Sequence, residues 1–258
     1  MTLWRLEWHR LIRTKRWLAL FGVYVFFGFL GPLTARYMNE ILDSFGGNLE
    51  GAVIQIPDPI PVDGLTQYSA NVSQLGVLIA VIVAATAVTI DAIPEMGVFI
   101  RTRVERIANA LSPRVVISAA AIVAAFATGA LIAWYETAAL IGPLPAGDVL
   151  AGIAYGAVYL VFVVALVAAV AGKARTVLAT VLASVVVLLL FPLAGVVEEV
   201  GGWLPSHLVG ALAGIPAQVL KSARKHLDDL EKLSPDDLVN ARYEKYRKIG
   251  VFANGSAD

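Results

Sequence analysis

The sequence predicts an all-α membrane protein, and two observations carry this prediction. Hydrophobic residues make up 58% of the 258 positions and charged residues only 16%, which is more apolar than soluble domains are. Five uncharged intervals are also long enough to cross roughly 30 Å of hydrocarbon as helices. These clear spans run from Trp17 to Ala35, from about Tyr68 to Ile90, from Val115 to Tyr135, from Val149 to Gly172 and from Thr176 to Val197.

The segments between these spans alternate in charge, and this alternation orients the chain. The first sixteen residues are basic, the segment from Arg36 to Gln67 is mainly acidic, and the next segment is basic again around Arg101. Basic residues accumulate on the cytoplasmic side of membrane proteins. The pattern therefore predicts a multi-pass protein of the cell membrane with a cytoplasmic N-terminus.

The N-terminal segment has helical periodicity of its own. Apolar side chains recur at the spacing of an amphipathic helix, whereas Arg5, His9, Arg13 and Arg16 fall on its other faces. Such a helix lies in the membrane interface, with its aromatic rings among acyl chains. The predicted apolar face consists of Leu3, Trp4, Trp8, Leu11 and Ile12.

The end of the chain leaves two possibilities open. Trp203 to Leu220 is uncharged but contains Pro205 and Pro216, so it is either a short sixth span or a re-entrant helix. Basic residues directly after it, beginning with Lys221, favour a crossing. We therefore expect a transmembrane domain over residues 1–220 and a polar, helical C-terminal tail over residues 221–258.

The composition also excludes several chemistries. The absence of cysteine excludes thiolate nucleophiles and Cys-ligated metals, and the balance of twenty basic and twenty acidic residues argues against nucleic-acid binding. The five clear spans contain no ionisable side chain, which argues against ion coupling. We find no phosphate-binding loop, catalytic set or metal-ligand spacing, so the sequence predicts no enzyme and no cofactor.

Small and polar residues within the spans have two interpretations each. Gly152 and Gly156 form a GxxxG pattern, which serves packing within one bundle or dimerisation. The polar side chains of the second span either form hydrogen bonds between helices or line a translocation pathway. These polar residues are Asn71, Ser73, Gln74, Thr86 and Thr89.

The loop between the second and third spans is the most informative connection. Asp91 to Arg114 is long for a link between neighbouring spans and mixes apolar with charged residues. This mixture is typical of a short helix that docks into a cleft on a cytoplasmic partner, although a solvated loop that only sets topology is the alternative. The candidate docking residues are Pro94, Glu95, Val98, Phe99, Arg101, Arg103 and Arg106.

Short segments in a particular order resemble a known family. They are the N-terminal residues 3–7 and 13–16, the stretch 28–34, residues 71–76, residues 99–104 and 111–114, and Trp203-Leu204-Pro205. Taken together, they resemble the permease subunits of type-2 ATP-binding cassette exporters, especially the compact actinobacterial kind.

This resemblance implies a function and partners. Met1 to Arg16 would be the interfacial helix, the region from Pro94 to Arg106 would couple to a separate ATPase subunit, and Trp203 to Gly214 would be a re-entrant helix. A second permease subunit, identical or different, would complete a pathway for an amphipathic, lipid-like or drug-like substrate. The polar tail departs from the family, in which a hydrophobic sixth span follows, and this departure motivates an alternative: a non-transporting membrane scaffold that recruits a partner through residues 221–258.

The predicted orientation is testable because an introduced cysteine would be the chain's sole thiol. We expect Arg103→Cys to react with a membrane-impermeant maleimide only after cells are permeabilised. Ala146→Cys, in the next loop, should react in intact cells. Labelling of Arg103→Cys from outside would reverse the assigned orientation.

Overall fold

The structure, a computed structural model, describes residues 3–41, 58–89, 97–98, 102, 107–174 and 176–194, with only the backbone described for Ile107 and residues 191–194. In these ranges the chain is helical apart from short turns and contains no strand, so the all-α prediction is confirmed there. The main helices are α1 (Leu3–Arg13), α2 (Arg16–Arg36), α3 (Pro61–Asn71), α4 (Val77–Val88), α5 (Ile107–Leu140), α6 (Ala146–Ala171) and α7 (Val177–Ala194).

Four of the described helical segments are long and apolar enough to cross a membrane. They are α2, the continuous segment Pro61–Val88 that contains α3 and α4, the part Ala108–Leu140 of α5, and α6. Helix α7 contributes a shorter apolar stretch, Val177–Leu190. These segments coincide with the five intervals predicted from the sequence, whereas residues 203–220 and the tail lie outside the described residues.

A sharp elbow separates α1 from α2. The Thr14 hydroxyl donates to the Arg10 carbonyl oxygen at 2.7 Å, which satisfies one of the last carbonyls of α1. Lys15 follows with a φ of 55° in the left-handed region, a conformation that costs a non-glycine residue on the order of 1 kcal/mol. The elbow lets α1 leave the axis of α2 and pack across the end of the bundle.

The second span begins earlier than the sequence predicted. Pro61 opens α3, and the Ile60 N–H is capped by the Asp63 carboxylate at 2.8 Å. The boundary predicted at about Tyr68 is therefore wrong: Tyr68 is only 2% exposed and lies in the core. The uncharged interval itself reaches back to Gly64, directly after the capping Asp63, so the boundary at Tyr68 was drawn four residues inside it.

A π-helical turn, Val72–Gly76, joins α3 to α4. The Val77 N–H bonds the Val72 carbonyl oxygen, five residues back, instead of continuing the usual pattern. The Tyr24 hydroxyl of α2 donates to the Gly76 carbonyl oxygen at 3.1 Å. The irregular turn is thus held by a side chain from the neighbouring span.

Helices α2 and α5 approach each other closely enough for glycine to be required. A Cβ on Gly28 would lie 2.6 Å from the Gly129 carbonyl oxygen, and a Cβ on Gly129 would overlap the Tyr24 carbonyl oxygen. Around this crossing, the Tyr68 ring stacks on Phe126 and its hydroxyl donates to the Phe126 carbonyl oxygen at 2.9 Å. The core of the bundle is centred on this contact.

Helix α7 turns its polar side chains inward and its leucines outward. Thr180 and Ser184 are fully buried, whereas Leu178 is 69% and Leu189 67% exposed. The Thr180 hydroxyl lies 3.2 Å from that of Thr89. This is the reverse of a soluble amphipathic helix, and it suits a helix whose outer face contacts lipid.

The helix ends group as the alternating charges predict. At one end of the bundle, Glu7 of α1, Arg16 of α2, Ala87 of α4 and Arg114 of α5 line a common recess. At the other end, Gly64 of α3 lies against Thr137 of α5. The ends assigned to one side by charge therefore lie together, and the identity of the cytoplasmic side remains a prediction.

The α2–α5 crossing gives a direct test of packing. We expect Gly28→Ala to lower the stability of the purified protein by about 1–3 kcal/mol, because the facing atoms are backbone and cannot move aside. Gly22→Ala, in the same helix with nothing within 4 Å of the added Cβ, is the matched control and should leave stability unchanged or raise it. Thermal unfolding in detergent measures both, and equal effects would contradict the close crossing.

Candidate functional site

A buried ion pair joins the N-terminal helix to the third span. Glu7 of α1 is 7% exposed, and its Oε1 lies 3.1 Å from Nε of Arg114 in α5. Its second oxygen, Oε2, lies 3.6 Å from Nη1 of Arg10. One carboxylate is thus shared by two guanidinium groups, and we call Glu7, Arg10 and Arg114 the ion-pair cluster.

Arg114 also reaches the end of the second span. Its Nη1 lies 3.5 Å from the carbonyl oxygen of Ala87, in the last turn of α4. Carbonyls in the last turn of a helix lack partners within the helix, and a cation there is favoured by the helix dipole. A single side chain therefore contacts α1 through Glu7 and α4 through Ala87 while its backbone belongs to α5.

The burial of Glu7 depends on its partners. An isolated carboxylate in a low-dielectric site is strongly unfavourable, and pairing with hydrogen-bonding cations offsets the cost of desolvation. Such a pair adds little net stability compared with apolar packing, but removal of one member leaves the other charge uncompensated. The ion-pair cluster thus fixes the position of α1 relative to α5, because Glu7 of α1 is stable in its buried position only while Arg114 faces it.

The ion-pair cluster lines a small recess of the bundle. The walls include the apolar side chains of Leu11, Val83 and Ile117, together with Ser118 and Arg16. The cavity volume is about 10 Å³, close to the least that holds one water molecule. Among the described residues, the polar side chains that line the recess are the four charged groups and Ser118.

The predicted amphipathic helix is present as α1, and two of its side chains are buried against the bundle. Leu11 packs into the bundle together with Glu7, one turn before it. The remaining residues of the predicted apolar face are about half exposed: Leu3, Trp4, Trp8 and Ile12. Helix α1 therefore contacts the bundle through the apolar Leu11 and the charged Glu7. Its aromatic residues, Trp4 and Trp8, are left exposed and can contact lipid.

The predicted docking loop connects two helices that Arg114 links. Helix α4 ends at Val88 and α5 begins at Ile107, so the ends of the loop emerge from the two helices that Arg114 links. Val98 is helical and 64% exposed, and the Thr102 hydroxyl donates to its carbonyl oxygen at 3.1 Å. The other candidate docking residues lie outside the described residues: Pro94, Glu95, Phe99, Arg101, Arg103 and Arg106.

The polar residues of the second span do not converge on one pathway. Ser73 and Thr86 donate to carbonyls of their own segment, those of Ser69 and Val83, and Thr89 pairs with Thr180 of α7. Gln74 is exposed, and Asn71 Nδ2 is buried without a hydrogen-bond partner. Within the described part of this one chain, Thr89 is the member of the set that bonds a different helix.

The two glycines of the fourth span face inward. Gly152 and Gly156 of α6 are both buried within this chain. That position suits packing inside one bundle, since a face used for dimerisation would be exposed in a single chain.

Sequence reasoning missed the ion-pair cluster, although a signal was present. Glu7 is the sole acidic residue among the first sixteen, and Arg10 follows it at the i, i+3 spacing of a helical pair. An acid within a basic stretch that precedes a span is a candidate for an internal partner. Its pairing with Arg114 is a contact across more than one hundred residues, which no local pattern encodes.

Comparison with known proteins assigns no family. No family model and no solved structure matches the chain. A stretch of 59 residues is 42% identical to part of the acetyl-coenzyme A carboxylase carboxyl transferase subunit alpha of Staphylococcus epidermidis. That match spans 22% of this chain and 18% of the subunit, too little of either to establish membership or activity.

The ion pair is testable by a double-mutant cycle. We expect Glu7→Gln or Arg114→Gln alone to cost on the order of 3 kcal/mol, because the first leaves Arg114 without a carboxylate and the second leaves Glu7 with only the more distant Arg10. The double variant should cost clearly less than the sum, with a coupling of at least about 1 kcal/mol. Stability in detergent is the measurement.

Arg10→Gln is the control for this cycle. Its side chain is 37% exposed and lies at 3.6 Å, so its loss should cost less than about 1 kcal/mol. Strict additivity of Glu7→Gln and Arg114→Gln would show that the two side chains do not interact.

Proposed function

We propose that this chain is the permease subunit of an ATP-binding cassette exporter, driven by a separate ATPase. The observation that carries the proposal is the position of the ion-pair cluster at the base of the loop between the second and third spans. A partner that binds this loop and changes position exerts force on the ends of α4 and α5. Arg114 connects both ends to α1, so all three helices receive the displacement.

The exposed apolar side chain in the loop supports the docking role. Val98 presents 64% of its surface to the surroundings, and Val98 lies in a helical conformation with a hydrogen bond from Thr102. A helical residue that is apolar and exposed, followed in the sequence by Arg101 and Arg103, fits a cleft on a soluble partner. The resemblance to exporter permeases supplies the identity of that partner as an ATPase subunit.

The proposal includes a mechanism for coupling. Binding of ATP by the partner changes the position of its cleft, and the docked loop follows. Because packed helices move as units rather than deforming, the displacement tilts the bundle and alternates access to a pathway formed with a second permease subunit. In this account the chain binds no nucleotide, metal or cofactor, and its substrate is amphipathic and lipid-like or drug-like.

Topology completes the proposal. The N-terminus and the docking loop face the cytoplasm. The five clear spans are followed by residues 203–220, which form a sixth span or a re-entrant helix. The tail 221–258 is cytoplasmic if residues 203–220 cross the membrane. The alternating charges support this arrangement. The grouping of the helix ends around Arg114 agrees with it.

Coexpression with candidate ATP-binding cassette ATPase subunits, starting with any encoded beside this gene, tests the proposal. We expect a complex that survives purification and hydrolyses ATP faster when an amphipathic substrate is added. Glu95→Ala and Arg101→Ala should weaken the complex, because both lie in the docking loop. Arg114→Gln should retain the complex but lose substrate-stimulated hydrolysis, because it breaks the link behind the loop.

Arg36→Gln, at the opposite end of α2, is the matched control and should change neither binding nor stimulation. Failure to isolate any complex, together with unchanged ATPase stimulation in the Glu95 and Arg101 variants, would refute the coupling assignment. Deletion of residues 221–258 separates the alternative: intact transport with loss of a bound partner would favour a scaffold that acts through its tail.

A further inference from the structure

The recess beside the ion-pair cluster carries more positive than negative charge. Its charged lining residues are Glu7, Arg10, Arg16 and Arg114, that is, three cations and one anion. Glu7 is already occupied by Arg114 at 3.1 Å and Arg10 at 3.6 Å. Among the described residues that line the recess, the positive charges therefore exceed the negative ones by two.

Arg16 is the least compensated of the three arginines. It is half-buried and forms no ion pair within the described ranges. It is also the first residue of α2, where the helix dipole disfavours a cation and favours an anion. Because no carboxylate of the described residues forms an ion pair with Arg16, this half-buried cation is available to bind an anion.

The surroundings of the recess indicate the kind of anion. Trp17 and Leu18, which follow Arg16, are 39% and 48% exposed, and Trp4 and Trp8 of α1 are about half exposed. Exposed tryptophan and leucine next to arginine mark the level at which headgroups meet acyl chains. The cations thus lie at the depth of lipid phosphates, with apolar side chains beside them for the lipid tails.

We propose that Arg10 and Arg16, at the mouth of this recess, bind the phosphate of an anionic phospholipid. The inner volume of about 10 Å³ is too small for a phosphate group, so the headgroup sits at the opening. The side chain of Arg10 is 37% exposed there. The side chain of Arg114 is only 13% exposed, so it lies deeper and contributes through its positive electrostatic potential. A bound lipid neutralises the surplus charge and holds α1 against α2 from the membrane side. This assignment does not depend on the transport function.

Native mass spectrometry of the full chain in neutral detergent tests the site. We expect titrated phosphatidylglycerol to be retained in preference to phosphatidylcholine. Arg16→Gln should weaken phosphatidylglycerol binding about fivefold, the effect of one basic residue at an anionic surface. Arg16→Lys should restore most of it, since the charge returns. Without lipid, Arg16→Gln should melt at the same temperature as the parent chain or higher, because no ion pair is lost.

Arg13→Gln is the matched control: it removes one exposed cation from the same segment but outside the recess, and binding should not change. Three results would overturn the proposal. They are equal retention of phosphatidylglycerol and phosphatidylcholine, an equal loss in Arg13→Gln, and displacement of the lipid by millimolar inorganic phosphate, which would identify a free anion as the ligand.

Discussion

The arrangement of this bundle depends on how the carboxylate of Glu7 is kept inside it. A lone charge in an apolar environment is prohibitively unfavourable, so the place of α1 is set by where cations are available. Arg114 supplies the nearer one, at 3.1 Å, and is itself fixed by the carbonyl at the end of α4. One guanidinium group, that of Arg114, therefore contacts both α1 and the end of the second span, and its own residue belongs to the beginning of the third span.

The middle of the bundle and its end near Arg114 are held by different interactions. Near Gly28 and Gly129 the helices touch backbone to backbone, and Tyr68 donates to the Phe126 carbonyl oxygen at 2.9 Å. This region has no room to rearrange. The end near Arg114 is held by charges and hydroxyls, including the pair Thr89 and Thr180, which can exchange partners at lower cost. In the proposed mechanism, such a bundle tilts when force is applied at its polar end.

Much of the fold can be predicted from the sequence, for a physical reason. A bilayer requires long uncharged helices, so the absence of charge locates α2, α5, α6 and α7 to within a few residues or one or two turns. At the second span the predicted start, Tyr68, lay inside the uncharged interval, which reaches back to Gly64 directly after the capping Asp63. The absence of charge also cannot predict the π turn that Tyr24 holds.

The candidate site was harder to predict than the spans. The loop was singled out by its length and mixed composition, and the exposure of Val98 is compatible with the proposed docking. The contact between Glu7 and Arg114 joins residues far apart in the chain, and only folding brings them together. Long-range pairs of this kind are invisible to hydrophobic periodicity, which reports one element at a time.

The central claim is that Arg114 makes α1 and α5 move as one body. Pulsed electron paramagnetic resonance tests this claim by measuring the distance between spin labels at His9→Cys in α1 and Tyr135→Cys in α5. Both native side chains are exposed, so the labels can be attached. The account predicts one narrow distance distribution in the parent chain and a broad one after Arg114→Gln. An equally narrow distribution in both would contradict it.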